Sequence, residues 1–215
     1  MTTAESPVVV SHTRQDMTAL AITPLWALGA WESHTYGIWG ALGVSAVFLS
    51  TIVLALEGRA VMGHGRHARL WPLGIAAGLV MAAGTTALFR PVTTAFPALF
   101  GDVSALYAAF GDRDSVATLL LLPVIVIAEE IVWRGAVQAA LARRMRWLPA
   151  AAVGAVFYAV AHSPVGSPAL VLTCLAAGFC WSVLRGLTDS LPVAVLAHLV
   201  WDFAVLVIHQ LVPTT

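Results

Sequence analysis

The stretch AEEIVWRGAVQAAL, residues 128–141, sets Glu129, Glu130 and Arg134 inside an apolar run. Two later apolar runs carry groups of the same kind: His162 closes WLPAAAVGAVFYAVAH, and His198 and Asp202 share VAVLAHLVWDF. Carboxylates and imidazoles exchange protons or hold metal ions. Both are costly in hydrocarbon, so their presence there marks a candidate site. Helical spacing sorts the partners. Glu130 and Arg134 stand at i and i+4, on one face, where an ion pair lowers the burial cost of each. Glu129 is turned about 100° away and has no partner on its own helix. Low dielectric disfavours the charge on such a carboxylate, which suits a group that must take up and return a proton near neutrality. His198 and Asp202 again share one face. Asp202 is placed either to orient the imidazole or, with His198, His162 and Glu129, to ligate a metal ion.

Such groups need apolar helices to carry them. Of the 215 residues, 60 % are hydrophobic and 10 % charged, and the mean hydropathy of +0.88 lies far from that of a soluble domain. The chain reads as an all-α, polytopic membrane bundle of six to seven transmembrane helices. Spans are expected at 36–56, 71–89, about 116–141, 147–162, 169–184 and 190–212. The run 17–31 is short and contains Pro24, so it either lies at the interface or adds a seventh span. Residues 1–16 read as a polar tail without the marks of a secretory signal, and 17–215 as a single membrane domain without internal repeats. Segment 90–114, with Asp102, Asp112 and Asp114, reads as a loop.

Arginines concentrate in 57–70, which carries Arg59, Arg66 and Arg69, and in 142–146 and 185–189, which places those loops in the cytoplasm. Counted from that side at about 1.5 Å per residue, Glu129 lies about 21 Å deep, His162 about 22 Å, His198 about 12 Å and Asp202 about 18 Å. All fall in the middle of a core about 30 Å thick, so one pocket can gather them. The formal net charge is zero, which gives no electrostatic footprint for nucleic acid. Cys174 and Cys180 are too far apart along one helix for a disulfide and read as packing residues. Trp26, Trp31, Trp39, Trp71, Trp133 and Trp147 read as interfacial anchors, and His34, His64, His67 and His209 as groups at helix ends or in loops.

In order along the chain, these residues resemble the motifs of the CPBP family of intramembrane proteases, which includes the type II CAAX prenyl endopeptidases and bacteriocin-processing or immunity proteins. Glu129, Glu130 and Arg134 fit the family's EExxxR. YAVAH, with Tyr158 where Phe is usual and Phe157 beside it, fits FxxxH and supplies His162. HLVWD fits the HxxxN or HxxxD motif through His198 and Asp202. The resemblance spans roughly 115–205. It implies peptide-bond hydrolysis inside the membrane, with Glu129 and His162 activating a water, His198 and Asp202 completing the site, and the Glu130–Arg134 pair holding the helix. Two chemistries stay open under it: a Zn2+ ion on Glu129, His162, His198 and Asp202, or a glutamate-activated water without metal. An ionised Asp202 cannot donate a hydrogen bond as an Asn would, which tilts it toward metal ligation or orientation of His198.

The expected partners are the lipid bilayer and a membrane-associated protein or peptide substrate. The expected place is the plasma membrane of a bacterium. Two rival classes use similar residues: an ion-coupled transporter built on a proton relay, and a non-catalytic immunity or scaffold protein that keeps the motifs for folding. The chain is short and lacks the paired halves common in carriers.

Overall fold

A computed structural model describes residues 12–64, 68–111 and 115–212. Arg66, His67, Asp112, Arg113, Asp114 and the first eleven residues of the expected tail lie outside them. The described residues form helices and turns with no strand. In order these are α1 (His12–Trp31), α2 (Ser33–Glu57), α3 (Trp71–Ala95), α4 (Pro97–Phe110), α5 (Val116–Glu130), α6 (Gln138–Ala142), α7 (Trp147–His162), α8 (Pro168–Thr188) and α9 (Leu191–Asp202). Five helical runs are long and apolar enough to cross a membrane: Ser33–Met62, Ala68–Ala95, Trp147–Val165, Pro168–Thr188 and Leu191–Ile208. The run from Val116 through Ala142, which carries Glu129, Glu130 and Arg134, matches the remaining expected span. This is an integral membrane protein. Side chains such as Val44, Val80 and Leu120 remain exposed on the outside of the bundle, as a lipid-facing surface requires.

Helix α5 begins at a sequence-coded cap, where the Ser115 hydroxyl accepts from the Thr118 amide at 3.0 Å. It passes into α6 through a π-helical turn, Ile131–Val137, just after the two glutamates. Such wide turns frequently mark functional sites, because the extra residue re-aims the side chains around it. The π turn has no signal in the apolar pattern.

Segment 90–114 differs from the expected loop. Helix α3 continues to Ala95, the chain bends at Phe96, and α4 starts with Pro97 in its first turn, where a missing N–H costs nothing. Asp102, read as a loop charge, accepts from the Ser167 hydroxyl at 2.9 Å and the Ala169 amide at 2.6 Å, binding α4 to the start of α8. The Tyr107 hydroxyl donates to the Val205 carbonyl at 2.7 Å, and the Trp39 indole donates to the Phe110 carbonyl at 2.6 Å. Three ties thus fix α4 across one end of the bundle.

Helices α3 and α9 approach closely at glycines. A Cβ at Gly74 would lie 2.5 Å from the Val193 carbonyl oxygen, and one at Gly78 2.6 Å from that of Ala197. Small residues at this spacing let two helix backbones meet, here on the turn that carries His198. Helix α1 includes the expected tail residues 12–16. Its start is fixed by Asp16, which pairs with Arg143 at 3.2 Å and with Arg144. The Arg144 guanidinium, helped by Arg143, holds the Asp16 carboxyl below its ordinary value.

Candidate functional site

The residues singled out by spacing come from three separate helical runs and meet in the interior. Glu129 Oε1 stands 3.6 Å from His162 Nε2. Glu130 accepts from Arg134 Nη1 at 2.9 Å within its own helix. It also accepts from His198 Nδ1 at 2.8 Å across the bundle. Asp202 Oδ2 lies 3.6 Å from His198 Nε2, so the short contact of this imidazole is with Glu130 and not with its neighbour one turn on. Glu130 and Arg134 are 0 % and 1 % exposed, and Arg134 also donates to the Gly178 carbonyl at 2.9 Å. The carboxylate answers the buried charge, the carbonyl takes a second donor, and the Tyr158 and Trp181 rings face the guanidinium, while Arg134 Nε is left without a hydrogen-bond partner.

Hydrogen-bond chemistry fixes the state of His162. Its Nδ1 faces the Tyr158 carbonyl at 2.8 Å; a carbonyl only accepts, so Nδ1 carries the hydrogen. Its Nε2 receives the Trp26 indole N–H at 3.1 Å and is therefore the acceptor nitrogen. Glu129 is held from the other side, its Oε2 accepting from the Tyr158 hydroxyl at 2.6 Å. Two acceptors, Oε1 and Nε2, are left facing one another. His198 is clamped by Trp181, whose ring stacks on it at 3.6 Å and 19°.

Several of these supports were not legible in the sequence. Trp26 and Trp133, read as interfacial anchors, are 0 % and 2 % exposed and pack edge to face at 5.4 Å beside His162. Their burial corrects that expectation: α1 lays Trp26 against the site, a contact between residues 136 apart that no local pattern encodes. Trp31 and Trp71 do lie exposed at helix ends. Cys174 is buried and lines the central cavity, whereas Cys180 is exposed and does not pack as expected. The His34 ring hydrogen-bonds the Pro164 carbonyl at 2.9 Å, and His64 pairs with Asp189 at 2.7 Å, so these two histidines serve as local ties.

A cavity of about 160 Å³ opens in front of the site. Glu129, Tyr158, His162, His198 and Asp202 line its polar end, while Trp39, Leu42, Leu106 and Phe110 line its apolar part toward α4. A single water needs roughly 10–15 Å³ on this measure, so the space admits water together with part of a larger molecule. No three His, Cys, Asp or Glu side chains among the described residues form a group able to hold a metal ion. His162 Nδ1 is already taken by the Tyr158 carbonyl. In this arrangement the four candidate ligands do not form a zinc cage, and the chemistry below is built from the side chains alone.

Residues 113–204 match the model of a protein family described as type II CAAX prenyl endopeptidase Rce1-like. The match takes in all three motifs and bears out the resemblance read from them. At family level it supports an intramembrane protease of the CAAX type. No curated protein and no solved structure matches the chain.

Proposed function

We propose that the protein is an intramembrane endopeptidase that hydrolyses a peptide bond of a membrane-associated protein or peptide, using a water activated by Glu129. The observation that carries this reading is the pair of facing acceptors, Glu129 Oε1 and His162 Nε2, 3.6 Å apart at the polar end of an interior cavity. Neither atom can donate to the other in this state. A molecule with two hydrogens to give can bridge them from the cavity side, and water is such a molecule. Its oxygen lone pairs are then directed away from both acceptors, toward the cavity where a scissile carbonyl can lie.

Hydrolysis needs a proton to leave the water as the oxygen bonds to the carbonyl carbon, and the same proton to reach the departing amine. Glu129 takes it through Oε1; a water at this place shares the Nε2 lone pair of His162 with the Trp26 indole, so the carboxylate takes the larger part. When the C–N bond breaks, the proton passes from Glu129 to the amine nitrogen, leaving a new carboxylic acid and a new amine. His198 and Asp202 form the opposite wall. Glu130 and Arg134 fix the position of His198 and the course of the helix behind Glu129.

The test is cleavage of membrane-anchored peptides by the purified protein in lipid vesicles, read by mass spectrometry. The expected result is a pair of fragments whose masses sum to the substrate plus one water, formed at a rate that a metal chelator leaves unchanged and that His162→Ala abolishes. Intact peptides with the wild-type protein, or undiminished cleavage by the His162 variant, would overturn the proposal.

A further inference from the structure

The family motif places Phe where this chain has Tyr158, and the added hydroxyl meets the one carboxylate that has no partner on its own helix. At 2.6 Å the O–H···O contact to Glu129 Oε2 lies in the range of charge-assisted bonds, about 2.5–2.7 Å. A glutamate's last torsion is broad and roughly two-fold, so a carboxylate without such a bond swings freely between orientations. Here the phenol stops that rotation and leaves Oε1 facing His162.

The phenol is itself held on several sides. The Tyr158 ring meets the His162 ring edge to face at 4.5 Å and the Trp133 ring at 5.3 Å. The Arg134 guanidinium lies 4.7 Å from its centroid. On the α8 side Gly178 makes the room: a Cβ there would come within 2.8 Å of Tyr158 Cδ1 and 3.2 Å of Arg134 Nη2. Tyr158 is 4 % exposed, yet it borders the cavity. The same residue's carbonyl receives the Nδ1–H of His162. One residue therefore orients both members of the pair, the carboxylate by its hydroxyl and the imidazole by its backbone.

We infer that Tyr158 is a positioning residue for the reaction proposed above: its hydroxyl fixes the Glu129 carboxylate with Oε1 toward the water between Glu129 and His162. The inference rests on that reaction and adds a role that packing does not require, since Phe would fill the same space.

The experiment compares wild type, Tyr158→Phe, Glu129→Asp and the double variant, all in vesicles with one cleavable membrane-anchored peptide. Tyr158→Phe is expected to lower kcat about ten- to a hundredfold, the effect of losing one hydrogen bond to a charged group, with KM changed less than about twofold. In Glu129→Asp the shorter side chain draws the carboxylate back from the phenol. Adding Tyr158→Phe there should then cost less than about threefold, because the bond is already gone. Equal rates for wild type and Tyr158→Phe, or the same loss in both backgrounds, would overturn the positioning role while leaving the peptidase reading intact. A wild-type protein that cleaves nothing overturns both.

Discussion

Glu130 and Arg134 show how far spacing alone carries an argument at the level of single residues. Their i, i+4 relation announces an ion pair, and the pair is present at 2.9 Å with both side chains almost wholly buried. Removing one member leaves the other as an uncompensated buried charge, which costs about 3–5 kcal/mol. Arg134→Met is therefore expected to lower thermal stability in detergent by an amount of that order. A melting temperature equal to wild type would show that the pair is not structural. Residue types and intervals were enough to nominate Glu129, His162, His198 and Asp202 as neighbours. What they could not give is the partner of each atom. The short bond of His198 goes to Glu130 on another helix, and His162 receives a donor from Trp26, because such contacts depend on packing between segments far apart in sequence.

At the level of elements, the spans were legible from length and hydropathy, and their helices appear close to the expected positions. Segment 90–114 was not, because its aspartates suggested solvent while Asp102 in fact satisfies two donors at the start of α8. Charge in a short apolar segment can thus signal a cap on a neighbour as readily as a loop. The π turn after Glu130 likewise has no compositional mark. The glycine contact of α3 with α9 offers a direct test of how the second histidine is held. Gly78→Ala places a Cβ 2.6 Å from the Ala197 oxygen and should cost about 1–3 kcal/mol of stability, pushing α9 and His198 away. Gly84→Ala, on the same helix with nothing within 4 Å of its Cβ, is the control and should leave cleavage unchanged, with stability equal to wild type or raised by up to about 1 kcal/mol. Indistinguishable melting of the two variants would remove the close approach as a cause.

For the whole molecule, the ends of distant helices are tied on the arginine-rich side by Asp189, the left-handed cap of α8. Burial pushes its carboxyl up, but bonds from Arg185 and from the backbone and ring of His64 prevail and bring it down to about 2. A carboxyl depressed in the folded state contributes stability above its ordinary value of 3.8, and that contribution fades as pH falls toward 2. Asp189→Asn keeps a residue tolerant of the left-handed backbone while deleting the charge. The wild type should melt higher than this variant above pH ~4, by no more than about 1 kcal/mol for so exposed a group, and the two should converge as the pH drops to about 2. A difference that persists unchanged in acid would assign the effect to geometry. Under the proposed function, the larger organisation, five apolar spans and the Val116–Ala142 run closing around a cavity with a carboxylate and an imidazole among its lining, serves to bring water to a peptide bond in hydrocarbon. The most direct measurement of that claim is the single-turnover cleavage rate of Glu129→Gln against wild type in vesicles. The substitution keeps the size and the contact with Tyr158 but cannot take a proton. A fall of about 10²–10⁴-fold with substrate still bound is the expected result, and a rate equal to wild type would contradict the account.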